Sequence, residues 1–326
     1  MPQDKRRINV RQLGKLLCLL SAGAIGLGLI GMMLWRRIPE PRAVAQNSSG
    51  QDSEDAVIAV PVTRQLAARV TSYDLPRATV QVALFPTEVI TISVAVSDAL
   101  QPIDAFVAGE ISSTPTSIIN GGFFDPQNGK TTSHLTVGGE VVGDPADNER
   151  LVGNPDLQQY LPQILNRSEF RAYRCDLEAS ARGSLRYDVT LHDAAVPDGC
   201  EIECAVGAGP QLLPDDTSEL EAFTAYENGE LVRDAIGSMN PNARSAIGID
   251  ADGAVYFIMV EKTAELPGLT LAEVSEFAAS LGVVKLLNLD GGSSSSLRFA
   301  DQTFYGRFDP NGSPIERPVK SVIFAQ

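Results

Sequence analysis

The sequence predicts an α+β fold, in which a single domain of mostly antiparallel sheet with a few helices follows one N-terminal transmembrane helix. Apolar and polar residues alternate over Val89–Val96, which is typical of a strand with one buried face. Thr270 and Glu273 have the spacing of a helix capping box, and an apolar stripe at helical spacing follows them. The run Leu16–Trp35 contains no charged residue.

The N-terminal region has the pattern of a membrane anchor, because an uncharged run of about 20 residues spans a bilayer as one helix. Basic residues precede this run, which predicts a cytoplasmic N-terminus and a domain outside the cytoplasm, periplasmic or extracellular. We therefore expect a cytoplasmic basic tail (1–15), a transmembrane anchor or signal segment (16–35), a flexible linker (36–65) and the domain (66–326). A cleaved signal peptide is the alternative, and cleavage after Ala45 would release a secreted protein.

The charge balance limits the class of partner. The chain has a formal net charge of −15, from 26 Lys and Arg against 41 Asp and Glu. The residues before the domain are basic, so the acidic excess lies in the domain itself. This distribution argues against a nucleic-acid partner, since nucleic-acid binding needs a basic surface.

Three of the four cysteines fall in the domain, where an oxidising compartment permits a disulfide. Cys175 could pair with either Cys200 or Cys204, and a bridge between Cys200 and Cys204 is disfavoured by geometry. A zinc site is the alternative, but only two histidines, His134 and His192, are available, and both are distant in sequence.

Most of the domain has the pattern of strands. Strand patterns lie at residues 79–84, 89–96, 117–120, 184–192, 201–206, 243–250, 254–260, 283–289, 297–299, 302–308 and 319–324. A hairpin is expected at 134–142, and short helices at 101–109 and 157–165. The capped helix is expected over 271–281, where Gly282 would stop it.

Two loops have the same construction. In each, a short apolar strand ends in a polar residue and two glycines, as Asn120-Gly121-Gly122 and as Asp290-Gly291-Gly292. Glycines at such a position let the backbone turn and leave amides open to a ligand. Ser293 and Ser294 add hydroxyl donors after the second pair. A carboxylate beside a Gly/Ser loop suits a sugar or a phosphate.

Six motifs occur in an order that resembles the phosphodiester glycosidase family. They are Asn120-Gly121-Gly122-Phe123-Phe124, Gly209-Pro210-Gln211-Leu212, Arg244-Ser245-Ala246-Ile247-Gly248, Gly268-Leu269-Thr270-Leu271, Leu287-Asn288-Leu289-Asp290-Gly291-Gly292-Ser293-Ser294 and Arg317-Pro318-Val319. The resemblance covers roughly residues 115–324. It implies an α+β catalytic domain that hydrolyses the bond between the anomeric carbon of a sugar and a phosphodiester oxygen.

This chemistry requires a carboxylate near the anomeric carbon, a cation near the phosphate and donors for the sugar hydroxyls. Asp290 is the first catalytic candidate, as nucleophile or base, and Asp125 or Glu261 is the candidate for a second carboxylate. Arg244 is the candidate for a bidentate phosphate clamp. Lys262, Arg317 and Lys320 are weaker alternatives to Arg244.

The remaining substrate contacts are assigned to the two loops. Asn120, Gly121 and Gly122 would donate to the ligand from the first loop, and Gly291, Gly292, Ser293 and Ser294 from the second. Neither serine is expected to act as a nucleophile, because no G-x-S-x-G turn is present. His192 is interpreted as structural, and His134 as a residue that could line the pocket.

The resulting hypothesis is an envelope glycosidase that acts on a sugar-phosphate or polysaccharide substrate and is attached to the membrane by its N-terminal helix. The alternative is a module that binds polysaccharide or a sugar phosphate without turnover. A metal-dependent phosphodiesterase is disfavoured, because His and Asp do not cluster at metal-ligand spacing. No cofactor is predicted, although an acidic chain leaves open a lone Ca²⁺ held by loop carboxylates and carbonyls.

Overall fold

The structure, a computed structural model, describes residues 67–176 and 185–326. The predicted anchor, linker and cleavage site lie outside these residues. Strands are the predominant secondary structure of the described chain. They are β1 (Arg69–Asp74), β2 (Thr79–Phe85), β3 (Ile92–Gln101), β4 (Ser117–Asn120), β5 (Leu135–Val137), β6 (Glu140–Gly143), β7 (Ser168–Cys175), β8 (Leu185–Leu191), β9 (Cys200–Gly207), β10 (Gln211–Leu213), β11 (Thr224–Glu227), β12 (Glu230–Asp234), β13 (Arg244–Asp250), β14 (Val255–Val260), β15 (Val283–Asn288), β16 (Ser296–Phe299), β17 (Gln302–Tyr305) and β18 (Val319–Ala325).

Helices are few and mostly short. They are α1 (Glu149–Val152), α2 (Leu161–Ile164), α3 (Leu271–Ser280) and single 3₁₀ turns at Ile103–Val107, Pro145–Asp147, Pro155–Tyr160 and Gly292–Ser294. None of the helices in the described ranges has the length and apolar character needed to cross a membrane. The α+β expectation, mostly antiparallel with few helices, is therefore confirmed for the domain.

Within residues 67–176 and 185–326, the strands form three antiparallel sheets and one separate hairpin. A six-stranded sheet has the order β1-β2-β14-β13-β15-β10, and a five-stranded sheet the order β17-β16-β4-β18-β3. A second five-stranded sheet has the order β6-β5-β9-β7-β8, and β11 pairs only with β12. The strands that carry the two glycine loops, β4 and β15, thus belong to different sheets.

One apolar core joins the three large sheets. Phe257 of β14, Ile119 of β4 and Phe170 of β7 are each fully buried in the same cluster. A second cluster packs α3 on the outer face of the six-stranded sheet, where Leu271 and Val274 are buried. Burial of this kind stabilises the fold by roughly 25 cal/mol per Å² of apolar surface removed from water.

The capping box of α3 is present as predicted. The Thr270 hydroxyl accepts a hydrogen bond from the Glu273 N–H at 3.2 Å. The Glu273 carboxylate accepts one from the Thr270 N–H at 2.8 Å. These bonds satisfy donors that the first helical turn otherwise leaves free. The helix therefore starts at a fixed residue and leads the chain into β15 and the Asp290 loop.

Strand β7 was not expected from the sequence, and neither was the β11–β12 hairpin. Strand β7 contains Glu169 and Arg171, which side-chain polarity would place in water. Both side chains are instead 2% exposed and form an ion pair of 2.5 Å. The expected helix at 157–165 divides into a 3₁₀ turn and the short helix α2.

The disulfide joins Cys175 to Cys200, which is one of the two pairings left open by the sequence. These cysteines stand opposite each other where β7 pairs with β9. Cys204 lies further along β9, is buried and has a free thiol. The bridge ties together the ends of a segment that contains β8.

Candidate active site

The two glycine loops meet although their strands belong to different sheets. The side-chain amide of Asn120 donates a hydrogen bond to the carbonyl oxygen of Asp290 at 2.7 Å. The Asp290 N–H in turn donates to the carbonyl oxygen of Gly121 at 3.2 Å. The end of β4 is therefore bonded directly to the second residue after β15, and the common construction of the two loops reflects a shared location.

The side chain of Asn120 also binds other strands around this junction. Its side chain is fully buried, and its amide oxygen accepts from the Ser245 hydroxyl at 2.7 Å and from the Ser296 N–H at 3.1 Å. The amide thus joins the end of β4 to β13, to Asp290 in the second loop and to the start of β16 after that loop. The amide nitrogen also donates to the Gly121 carbonyl oxygen at 3.4 Å, so both of its hydrogens have acceptors within the described residues.

A small pocket of about 190 Å³ opens above this junction. It contains the end of β15, the second glycine loop and the start of β13, together with an aromatic and an aliphatic side chain. Its lining residues are Phe123, Ile236, Asn242, Arg244, Asn288, Leu289, Asp290, Gly291 and Gly292. Of the three predicted carboxylates, Asp290 alone lines it.

Asp290 has an unusual protonation equilibrium. The side chain is half-buried, and burial raises the pKa of Asp290 to about 6. The Ser294 hydroxyl, the Gly291 N–H and the charge of Arg317 act in the opposite direction and lower this pKa. A carboxylate with such a pKa is mostly ionised at neutral pH and close to the range that suits a base.

Two amide oxygens in the pocket wall have no hydrogen-bond partner in the described parts of the chain. They are Oδ1 of Asn288 and Oδ1 of Asn242. The orientation of Asn288 is fixed, because its Nδ2 donates to the Gly209 carbonyl oxygen at 2.8 Å. Buried acceptors without partners are costly, so each of these oxygens suits a ligand that presents a hydroxyl or N–H.

Arg244 lines the pocket, but its donors are directed into the protein. Its guanidinium donates to the backbone carbonyl oxygens of Leu269, Ile236, Gly237 and Asn240, at 2.6–3.3 Å. Burial lowers the pKa of Arg244 to about 10. The side chain therefore braces the loop between β12 and β13, and a bidentate phosphate clamp would require it to release these carbonyls.

Arg317 has the opposite character. Its side chain is half-buried, and within residues 67–176 and 185–326 its guanidinium donates no hydrogen bond and forms no ion pair. It lies 5.8 Å from the centre of the Phe124 ring, and its charge lowers the pKa of Asp290. A cation with unused donors thus lies beside the pocket carboxylate.

The other two predicted carboxylates lie outside the pocket. Asp125 forms an ion pair with Arg150 at 2.6 Å and accepts from the Gln127 N–H. Glu261 accepts from the Gln81 side chain at 3.0 Å, and burial raises the pKa of Glu261. Neither is brought to Asp290 by this arrangement.

The loop glycines allow close packing of the backbone, and the N–H groups of two of them are already bonded within the protein. The Gly121 N–H donates to the Ser321 carbonyl oxygen at 2.8 Å, and the Gly292 N–H to the Ala243 carbonyl oxygen at 2.9 Å. A Cβ on Gly122 would lie 2.1 Å from the carbonyl oxygen of Gly207. The expectation of open amides at Gly121 and Gly292 was therefore wrong, since the sheets themselves use these donors.

The loop serines are placed beside the carboxylate rather than in the pocket lining. Ser294 is buried and its hydroxyl interacts with Asp290. Ser293 is half-buried next to it. Sequence reasoning missed Asn242 and Ile236 as lining residues, because nothing in the local pattern around them marks a site.

The histidines stack on each other outside the pocket lining. The rings of His134 and His192 are parallel, with their centres 3.4 Å apart. His192 contacts the Glu169 carboxylate at 3.0 Å, and His134 contacts the Leu165 carbonyl oxygen at 2.8 Å. In the residues that the structure describes, no cluster of three or more His, Cys, Asp or Glu side chains could hold a metal ion.

Fold and pocket together define a mostly antiparallel α+β protein with a single carboxylate in a small pocket where two sheets meet. The family model for phosphodiester glycosidase matches residues 114–325. The chain therefore belongs to the phosphodiester glycosidase family, as the motifs indicated. Membership of this family suggests glycosidase activity.

Solved structures share the fold at low sequence identity. The catalytic domain of zebrafish N-acetylglucosamine-1-phosphodiester alpha-N-acetylglucosaminidase, auto-inhibited by its pro-peptide, has a TM-score of 0.57 and 14% identity. That likeness covers 79% of this chain and 82% of the zebrafish chain. A hypothetical protein from Synechocystis has a TM-score of 0.51 and 15% identity, over 79% of this chain and 61% of its own. No curated protein sequence matches the chain.

Proposed function

We propose that this protein is a glycosidase that hydrolyses a sugar-1-phosphodiester bond, with Asp290 as nucleophile or base. The observation that carries the proposal is the composition of the pocket. A half-buried carboxylate with a pKa of about 6 stands beside two buried amide oxygens without partners. Sugar hydroxyls supply the donors that such oxygens require.

The reaction breaks the bond between the anomeric carbon and the phosphodiester oxygen. The ionised Asp290 either removes a proton from the water that attacks this carbon, or attacks the carbon itself to form a glycosyl ester. In the second case a water molecule then hydrolyses the ester, which restores the carboxylate and releases a proton to solvent. The electron pair of the breaking bond leaves with the phosphate, and the hydroxyl of water remains on the sugar. A phosphate leaves readily without a general acid, which is compatible with a pocket that contains one carboxylate.

Arg317 is proposed to neutralise the departing phosphate. Its unused donors and its proximity to Asp290 support this role better than the carbonyl-bonded guanidinium of Arg244 does. Preorganised cations at a departing phosphate stabilise the charge that develops in the transition state. Arg244 is proposed to hold Ile236 and the neighbouring loop as one wall of the pocket.

The compartment is proposed to be the cell envelope, with the domain outside the cytoplasm. The Cys175–Cys200 disulfide supports an oxidising compartment. The basic residues before the apolar run support an anchored domain on the far side of the membrane. The sugar is proposed to be N-acetylglucosamine, after the substrate named for the zebrafish relative.

The full-length protein, purified in detergent, would be tested on a chromogenic N-acetylglucosamine-1-phosphodiester. We expect turnover by the wild type, and a loss of about 10³-fold in Asp290→Asn. Asp125→Asn is the matched control, because its carboxylate pairs with Arg150 outside the pocket, and it should retain turnover. Binding without turnover would instead establish the non-catalytic binding module. Equal turnover by wild type and Asp290→Asn would refute the assignment of the carboxylate.

A further inference from the structure

Two arginines are held side by side on one backbone segment close to the pocket. The Nε of Arg167 donates to the Glu221 carbonyl oxygen at 3.2 Å. The Nε of Arg233 donates to the next carbonyl oxygen, that of Ala222, at 2.8 Å. Arg167 precedes β7 and Arg233 lies in β12, so two separate elements converge to place these cations together.

Each guanidinium also lies over an aromatic ring, which fixes its plane. The Arg167 guanidinium is 3.7 Å from the centre of the Phe223 ring, and that of Arg233 is 4.7 Å from the centre of the Tyr160 ring. Stacking of this kind leaves the terminal nitrogens at the edge of the plane, where they are free to donate.

The terminal nitrogens of both arginines have no partner in residues 67–176 and 185–326. In that part of the chain each guanidinium makes its single hydrogen bond through Nε, and neither forms an ion pair. The nearby Glu221 carboxylate is already used, because it accepts from the Ser168 N–H, the Ser168 hydroxyl and the Gln211 N–H. Thr217 also donates to it.

Among the described residues, the two cations have one nearby carboxylate, that of Glu221, to balance their charge. Burial lowers the pKa of Arg167 to about 9. The charge of Glu221 opposes this shift, and the charge of Arg233 adds to it. An anionic group that binds between two like charges reduces their repulsion and accepts hydrogen bonds from their donors. The domain as a whole is acidic, so an arginine pair of this kind contrasts with the surface around it.

Aromatic contacts link the arginine pair to the pocket. The Phe223 ring beneath Arg167 lies 5.7 Å from the Phe123 ring, and Phe123 lines the Asp290 pocket. The chain also continues from Arg233 to Ile236 on the pocket wall. The arginine pair is therefore joined to the pocket lining through two neighbouring aromatic rings.

We propose that Arg167 and Arg233 form a subsite for a second anionic group, a phosphate or a carboxylate, on the part of the substrate beyond the scissile phosphodiester. This subsite rests on the proposed function for its place in the reaction, but its binding of anions does not require turnover. The preferred substrate then carries a second anionic group in addition to the single negative charge of the scissile phosphodiester.

Three synthetic substrates test the subsite in the full-length protein. All carry N-acetylglucosamine-1-phosphate, esterified to glycerol, to glycerate, or to glycerol phosphate, so only the second anionic group differs. We expect the wild type to prefer each of the two anionic substrates by about tenfold in kcat/KM, a change typical of one charge-assisted contact. A preference for the glycerate substrate alone would mean a subsite specific for a carboxylate. A preference for the glycerol phosphate substrate alone would mean a subsite specific for a phosphate.

The variants are Arg167→Gln and Arg233→Gln, and each should reduce the preference ratio to about one. Arg186→Gln is the control, because Arg186 is exposed on β8 and does not line the Asp290 pocket, and it should keep the wild-type ratio. Arg167→Lys, which keeps a charge without the planar fork, should restore part of the ratio. An unchanged ratio in both Gln variants, or a wild type without preference, would overturn the subsite.

Calorimetry with Asp290→Asn separates the two proposals. The same three compounds are titrated into this variant, alone and combined with Arg233→Gln. Tighter binding of the anionic compounds that Arg233→Gln abolishes supports the subsite even if the wild type hydrolyses none of them, which would refute only the glycosidase. Hydrolysis without any anionic preference in either assay would refute only the subsite.

Discussion

The side-chain amide of Asn120 donates a hydrogen bond of 2.7 Å to the backbone carbonyl oxygen of Asp290, across the boundary between two sheets. The pocket carboxylate is thus held by a residue from a strand distant in sequence. Asn120→Ala would leave the Ser245 hydroxyl and the Ser296 N–H without this acceptor. We expect a loss of about 2–4 kcal/mol in the free energy of unfolding and a larger proportional loss of turnover.

Urea denaturation and initial rates on the chromogenic substrate measure these two effects of Asn120→Ala. Asn311→Ala is the control, because Asn311 is exposed in a surface turn. If Asn120→Ala lowered stability but left kcat unchanged, Asn120 would hold the two sheets together without positioning Asp290.

The carboxylate of Asp290 is expected to set the acidic limb of the pH profile. The ionised form is the one that attacks or accepts a proton, and the pKa of Asp290 is raised by burial to about 6. We therefore expect turnover to rise with pH through about 6. A profile that stays flat down to pH 4 would contradict this role.

The same pKa gives a prediction for stability. The folded state holds the proton more tightly than the unfolded state, whose carboxyl titrates near 3.8. Ionisation therefore destabilises the fold progressively as pH rises from about 4 to 6. Asp290→Asn removes this cost. We expect its free energy of unfolding to exceed that of the wild type by about 1–3 kcal/mol at pH 7, and to equal it at pH 3. Equal stability of the two proteins at both pH values would argue against a raised pKa.

The two arginines near the pocket should respond differently to substitution. Arg317→Gln is expected to reduce kcat by about 10²-fold with little change in the unfolding midpoint, because the guanidinium makes no hydrogen bond in the described chain and serves the developing phosphate charge. Arg244→Gln is expected to lower stability by about 2–4 kcal/mol, because four carbonyl oxygens lose their donor. Kinetics and urea denaturation on both variants separate the roles, and a reversal of the two patterns would restore Arg244 as the phosphate clamp.

The sequence patterns predicted a carboxylate that lines the pocket, but they did not predict how its arginines are packed. Asp290 was found because a buried strand that ends in Asp-Gly-Gly marks a loop. The sequence favoured Arg244 over Arg317, but it gave no sign that carbonyl oxygens of the loop before β13 surround the Arg244 guanidinium. The tertiary structure decides which guanidinium donors remain free. The residues next to Arg244 and Arg317 in sequence give no indication of this.

The same limit explains the missed strand β7. Its buried Glu169–Arg171 ion pair reverses the polarity that a half-buried strand normally shows. The strands β13, β14 and β15 were predicted closely, because their apolar runs are long and bounded by turns. The capped helix α3 was predicted for the same reason, since both of its ends carry local signals.

Gly122 should tolerate no side chain. A Cβ there would lie 2.1 Å from the Gly207 carbonyl oxygen and 2.8 Å from the Ser133 hydroxyl. Backbone cannot move aside cheaply at this place, so Gly122→Ala is expected to cost about 3 kcal/mol. Gly109→Ala is the matched control, since its Cβ would meet only the Ala105 carbonyl oxygen at 3.7 Å. Thermal unfolding of both variants tests the comparison, and equal midpoints would contradict the close approach of the first loop to β9.

The Cys175–Cys200 disulfide should contribute substantially to the stability of the five-stranded sheet that contains β7 and β9. The bridge closes a loop with a sequence separation of 25 residues, and such a constraint on the unfolded chain is worth about 3 kcal/mol. We expect a reductant to lower the urea midpoint, and Cys175→Ser or Cys200→Ser to lower it by a similar amount without reductant. Cys204→Ala, which leaves the bridge intact, should keep the response to reductant. If Cys204→Ala removed that response while Cys200→Ser preserved it, the bridge would have to run from Cys175 to Cys204, since the strand pairing places both cysteines of β9 near β7.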